Sequence, residues 1–417
     1  MSRPEPLRLW LGQRRPTTAR FPFTTVVNAY QYHGKTFVPE EWSRLLTAAR
    51  ERLPEVRGAR RPQLSAFLNT ALDKVDRRYD YRTYLALNLL PIIGADEPPA
   101  DELRLLTRRD RLHVHLLTDL MAFELQAVSG APVPLPQLRP GAPLVAKRLR
   151  HALRAAMPAL RRLRLTDAVD SGEHTTIARQ MIVAVDRDLS TNERWSIQVS
   201  MMPVWIIHDE WMFIRVLQAF EASFALLAAD LRAAIANVQD GRIQQAATRL
   251  SAAAALLRES APLWSLMATL QPEAFHRFRR YTEGASAIQS RSYKMLESLC
   301  RLPDPERLNS PAYVSVPEVR SELDGGHLSL DDALDALRRS GGYAAESPVM
   351  AAAMRNFAAA LRQWRQTHYR LAVRMLGPGQ PGTGYTQGTS YLAGTRHEPV
   401  FRHCPRRDGD TSAGADT

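Results

Sequence analysis

The stretch MRNFAAALRQWRQTHYRLAVRMLG (354–377) constrains the fold of this chain more than any other. Met354, Phe357, Leu361, Trp364, His368, Leu371 and Met375 step by three and four, so they share one stripe of a helix. Gly377 follows where a C-terminal cap belongs. Arg355, Arg362, Arg365 and Arg370 fall mainly on other faces, which leaves His368 as the single polar member of the stripe.

The same period recurs along the chain. PEEWSRLLTAARERL (39–53) and residues 98–128 carry apolar side chains at three-and-four spacing, with proline near each start. Longer runs follow at 208–238, 242–270 and 350–376, so the fold class is mostly α-helical. A strand pair is expected around QMIVAVDRDLS (180–190) and RWSIQVSMM (194–202), where β-branched residues partly alternate. SGAPVPLPQLRPGAP (129–143) cannot continue a helix and reads as a linker. LVAKRLRHALRAAMPALRRLRL (144–165) reads as a basic helix interrupted by Pro158. This divides the chain into an N-terminal helical region (1–128), the linker, a second domain (144–404) and a polar, disordered tail (405–417).

Composition narrows the class. A chain of 417 residues, 45% hydrophobic and 24% charged, buries an ample core. The net charge is +12, but only Lys35, Lys74, Lys147 and Lys294 are lysines, so the excess reflects arginine-biased coding more than a nucleic-acid surface. No run approaches twenty uncharged apolar residues, and the first residues hold no continuous apolar segment, so neither a membrane span nor a signal peptide is expected. Cys300 and Cys404 form no C-x-x-C pattern; a reduced, cytoplasmic protein follows.

His368 admits two readings. A core imidazole satisfied by neighbouring backbone or side chains is one. The other is an axial ligand to haem iron, which needs one neutral imidazole in an apolar wall. The loop that follows, GQPGTGYTQGTSYL (379–392), bears on the choice. Its glycines let backbone approach a ligand closely, and its threonine hydroxyls can accept from an ammonium group.

H-x8-G at 368–377, then Gly382-Thr383-Gly384 and Tyr391-Leu392, resembles the tryptophan 2,3-dioxygenase superfamily of haem-dependent aromatic oxygenases. WIIHDEWMFIRVLQAFE (205–221) resembles that family's distal-side helix, with His208 and Glu221 at the matching spacing, and PEAFHRFRRYTEGASAIQS (272–290) resembles its arginine segment. The resemblance covers roughly residues 200–404 and implies a helical-bundle haem domain with an additional helical N-terminal region. It implies His368 as the proximal ligand of haem b and Ser286 and Ala287 on the distal haem face. His208 matches the histidine that bonds the indole nitrogen, Arg279 the grip on the substrate carboxylate, and Thr383 the contact near its ammonium group. Phe275 stands where the family has a tyrosine before the arginine, and Val204 where it has an aromatic residue before the distal histidine.

The activity implied is oxygen insertion into the indole ring of L-tryptophan or a derivative, with molecular oxygen as co-substrate. A haem monooxygenase of tyrosine or another aromatic amino acid stays open beside it, because the altered clamp suits specialised metabolism. A tRNA- or nucleic-acid-binding protein using the basic 144–165 helix is the alternative from another class; that helix lacks interleaved aromatics, so base stacking is not indicated. The resemblance also implies a homo-oligomer, since related dioxygenases are tetramers whose N-terminal residues reach a neighbour's site. Whether the long N-terminal half here replaces that arrangement stays open.

Overall fold

The computed structural model describes residues 3–94, 101–130, 132–166, 172–341, 347–383 and 388–402. Helices dominate, and among the described residues no strand forms beyond two isolated bridges, Thr17 with Arg57 and Gln137 with Ile207. The expected strand pair is instead two helices, His174–Asp188 and Thr191–Val199. Ala178, Met181 and Val185 carry the buried face of the first, at helical spacing, while Val183 points outward. The second starts on a capping box in which Ser190 and Glu193 satisfy each other's backbone N–H groups. Local alternation of β-branched residues lost to a period set by burial.

At the centre lies the helix His208–Gln239. It packs against Glu102–Val128, Ile243–Glu259 and Arg291–Cys300, and the long C-terminal helix Pro348–Leu376 lies along Ile243–Glu259. The central helix is long and apolar enough to cross a membrane by length and composition, yet most of it is enclosed by the other helices. Its first turn is fixed by carboxylates, as the positive end of a helix dipole favours. Glu210 accepts the N–H groups of Val204 (2.7 Å) and Trp205 (3.0 Å). Asp209 accepts from Arg148 Nη2 (2.7 Å) and the Gln271 N–H (2.7 Å).

Arg148 belongs to the basic helix, Ala142–Arg162, which runs without a break through Pro158. The proline strips a donor from the carbonyl four residues back, on exposed Arg154, where the loss is tolerated. Arg148 is fully buried and also bonds Glu124 Oε1 (2.9 Å) and the Thr269 carbonyl (3.2 Å). Much of this helix is therefore core-facing, and its buried basic group serves internal ion pairs.

The N-terminal helices Phe23–His33, Glu40–Glu51 and Arg61–Ala71 surround their own aromatic core, where Phe21, Phe23 and Phe67 meet edge to face. This unit is tied to the rest by backbone bonds from Lys35 to the Pro203 carbonyl (2.9 Å) and from Thr36 to the Val204 carbonyl (3.2 Å). The described part of 129–143 is no free spacer: Leu135 is buried, and Gln137 pairs with Ile206 and His208 through backbone bonds of 3.1 and 2.9 Å.

Candidate active site

One cavity gathers residues from the central helix, the C-terminal helix and the loops between them, and its lining is predominantly aromatic and aliphatic. Its atom-free space, mouth included, is about 1590 Å³. The volume comparable with that of known ligand cavities is about 240 Å³, and the remainder includes open solvent at the mouth.

The C-terminal helix supplies Trp364, His368, Leu371 and Met375 to the wall, four members of the predicted stripe. Gly377 then ends the helix at φ 92°, with its N–H on the Val373 carbonyl. His368 stacks on Trp264 (5.1 Å between centroids) and meets Trp364 edge-on (5.4 Å). His368 is half-buried and lines the cavity. Among the described residues the imidazole makes no hydrogen bond. Burial pushes its pKa down to about 4, so it is neutral at pH 7.

Phe213, Leu217, Phe220, Glu221 and Phe224 line the cavity from the central helix. From Pro272–Arg279 come Phe275, Phe278 and Arg279, followed by Ser286 and Ala287. Arg279 is half-enclosed, donates to the Pro381 carbonyl (2.7 Å) and forms no ion pair among the described residues. Its guanidinium thus brings donors without a counter-charge to the cavity. Gly382 and Thr383 complete that side, while Gly384 to Gln387 lie outside the described residues. The loop is pinched at its neck: Thr389 N donates to the Gln380 carbonyl (3.1 Å) and Gln380 N to Thr389 Oγ1 (3.1 Å). Gly388 closes it at φ 59°, where a Cβ would lie 2.1 Å from the Gln380 carbonyl.

Two cavity carboxyls behave oppositely. Glu297 is held well below the carboxylate range because, although buried, it faces Lys294, Arg307 and Arg365 at 2.9–3.1 Å. Glu221 has no cation; burial pushes it up to about 7, against the hydroxyls of Tyr81, Ser290 and Ser292.

His368, Arg279, Phe275, Ser286, Ala287 and Thr383 therefore converge on one cavity, and His208 and Val204 do not. His208 sits at the first turn of the central helix, five residues before Phe213, the first cavity residue on that helix, and so about 7.5 Å away along the axis. It is sealed in the core, stacked on Phe123 (4.5 Å) with Nε2 3.5 Å from Glu124 Oε2, an ion-pair contact without a well-formed hydrogen bond. Arg215 and Gln218, further along that helix, are also buried, in hydrogen bonds of their own. Val204 is likewise not in the lining; it is buried in a cluster that includes Tyr81, Tyr84 and Phe213, its N–H spent on Glu210.

Sequence reasoning missed Tyr81 and Tyr84. They come from the N-terminal region, on the single-turn helix Tyr81–Tyr84, and line the cavity of their own chain. The helix is capped by Asp80 and held by Gln289, whose Oε1 accepts the Tyr81 N–H (3.0 Å). A four-residue element shows no periodicity; the dense tyrosines of YDYRTYL (79–85) were the available signal.

Among the described residues, fold and site define a helical protein with a neutral histidine in an aromatic cavity, an arginine without an ion pair in the same lining, and Gly382 and Thr383 at its edge. The family model of tryptophan 2,3-dioxygenase matches residues 195–310. Tryptophan 2,3-dioxygenase of Bacillus thuringiensis is 27% identical over 267 residues, covering 54% of this chain and 90% of the relative. That of Bordetella pertussis is 28% identical over 220 residues, covering 44% and 77%. That of a Nocardioides species is 29% identical over 212 residues, covering 44% and 79%. The chain is thus similar to tryptophan 2,3-dioxygenases over about half of its length. The family-model match includes Arg279 and ends before His368 and the loop, which rest on their own motif and geometry.

Proposed function

We propose that this protein is a haem-dependent oxygenase that inserts molecular oxygen into the indole ring of L-tryptophan or a tryptophan derivative. The observation that carries the reading is the convergence of His368 and Arg279 on one apolar cavity.

The residues present fit haem b. His368 is neutral at pH 7, makes no competing hydrogen bond among the described residues, and lines an apolar cavity. When bound, haem supplies an iron centre that activates molecular oxygen.

The chain's own groups do the rest. The Arg279 guanidinium is the anchor for the substrate carboxylate, since a planar fork matches a carboxylate in two bonds. Thr383, beside it at the cavity edge, suits the ammonium group. Phe275 and Phe213, 5.8 Å apart, form the walls against which the ring lies. The Pro381 carbonyl, bonded to Arg279, fixes the adjoining Gly382 and Thr383 at that edge of the cavity. The N-terminal region contributes Tyr81 and Tyr84 in the same chain, so the cavity wall does not depend on a neighbour for them.

Incubation of the haem-loaded protein with L-tryptophan and oxygen tests the reading. N-formylkynurenine, the product holding both oxygen atoms, is expected by its ultraviolet absorbance and mass. A product heavier by one oxygen atom identifies a monooxygenase, and no turnover of tryptophan or tyrosine, with oxygen or peroxide, refutes the oxygenase.

A further inference from the structure

Five residues of the central helix, Phe213, Leu217, Phe220, Glu221 and Phe224, line the cavity at three-and-four spacing, so they form one stripe turned toward it. Four of them are hydrocarbon and one is an acid. Glu221 follows Leu217 by one turn, about 6 Å along the axis, and is only 1% exposed. The hydroxyls of Tyr81, Ser290 and Ser292 are the groups drawn to its carboxyl, and no cation joins them. They leave Oε1 without a hydrogen-bond partner among the described residues. A buried carboxyl oxygen in that state carries the cost of its lost hydration until a donor reaches it.

The rest of the lining offers no equal acceptor among the described side chains. Glu297 is saturated by Lys294, Arg307 and Arg365 at 2.9–3.1 Å. His368 aside, the others are hydroxyls, which accept more weakly than a carboxylate. The stripe also begins where the substrate is anchored. Arg279 and Phe275 are one turn apart on one helix face, and Phe275 meets Phe213 at 5.8 Å. An amino acid held at its carboxylate by Arg279 therefore lays its ring along the stripe that leads through Leu217 to Glu221.

We propose that Glu221 determines which ring this site accepts, its free carboxyl oxygen taking the ring N–H of a tryptophan-type substrate anchored by Arg279. The inference rests on the aromatic amino-acid reading above and adds the residue that reads the ring. Arg279 recognises the end common to all amino acids, and Glu221 selects among their rings. Tyr81, bonded to the acid, brings the N-terminal region into that selection. A site built to pair a ring N–H rejects an analogue that lacks it by orders of magnitude, because its own polar group is left unpaired.

The test compares L-tryptophan with β-(benzothiophen-3-yl)-L-alanine, in which sulfur replaces the ring N–H at nearly the same shape. Equilibrium dissociation constants are measured by calorimetry on the haem-loaded protein under nitrogen, so that no turnover intervenes. Tryptophan is expected to bind the unmodified protein at least tenfold tighter than the analogue. In Glu221→Leu that ratio is expected to fall to threefold or less, through weaker tryptophan binding alone. A carboxyl that only supports the fold weakens both compounds together. An unchanged ratio in Glu221→Leu, or one below tenfold in the unmodified protein, overturns the proposal while the amino-acid site stands. If neither compound binds the unmodified protein, the amino-acid reading fails and takes the proposal with it, a different result. Should Glu221→Leu not fold, Glu221→Gln decides: its uncharged amide is expected to cut the ratio at least threefold, and an unchanged ratio overturns the proposal.

Discussion

Two histidines in this chain look alike on paper and differ completely in place. His208 and His368 each sit on a long apolar helix. At His208 the surroundings are ionic: Glu124, Arg148 and Asp209 form a closed set of buried charges around the start of the central helix. Burial pushes the Glu124 carboxyl up, but His208 and Arg148 outweigh it and hold it low. At His368 the neighbours are indoles, no charge compensates the ring, and the open side is a cavity. His208 lies beside buried charges in the core, whereas His368 borders the cavity among indoles.

The largest expected effect belongs to the ionic side. Arg148→Ala leaves two buried carboxylates without their cation and should cost about 3–5 kcal/mol, read as a drop in urea midpoint. A change under about 1 kcal/mol would mean that this network holds little of the fold.

The next effect comes from acid and belongs to His368. Its folded pKa, about 4, lies below its ordinary value, so the unfolded chain takes up a proton first as pH falls. The associated stability is fully present above about pH 6.5 and is lost toward pH 4, on the order of 3 kcal/mol at most. In the haem-free protein the wild type should therefore lose more stability than His368→Gln over that window. Parallel curves would place His368 in a polar setting.

A smaller effect is expected at the anchor. Arg279→Ala should weaken tryptophan binding by roughly 1.5–3 kcal/mol, about 10- to 150-fold, while haem content stays unchanged. Loss of haem with unaltered tryptophan affinity would put Arg279 on the wrong ligand. The smallest belongs to His208→Ala, which should cost about 1–3 kcal/mol of stability and leave tryptophan affinity within a few-fold.

The sequence was readable wherever one long period governed burial. The stripe ending in His368 and the cap at Gly377 are in the structure as read, and Arg279 follows Phe275 at the spacing that brings both to the wall. It was unreadable where partners come from distant segments. Nothing near His208 announces Glu124 or Phe123, which arrive from another helix and close around it. Tyr81 and Tyr84 escaped because a single turn has no period, and the 174–199 segment misled because β-branched residues fit a helix whose buried face is Ala178, Met181 and Val185.

Haem titration into the purified apoprotein, followed by its optical spectrum, tests the central claim most directly when wild type, His208→Ala and His368→Ala are compared. Wild type and His208→Ala should give the same Soret band at one haem per chain, and His368→Ala should lose or shift it. An unchanged band in His368→Ala, or its disappearance in a folded His208→Ala, would contradict the assignment of iron to His368.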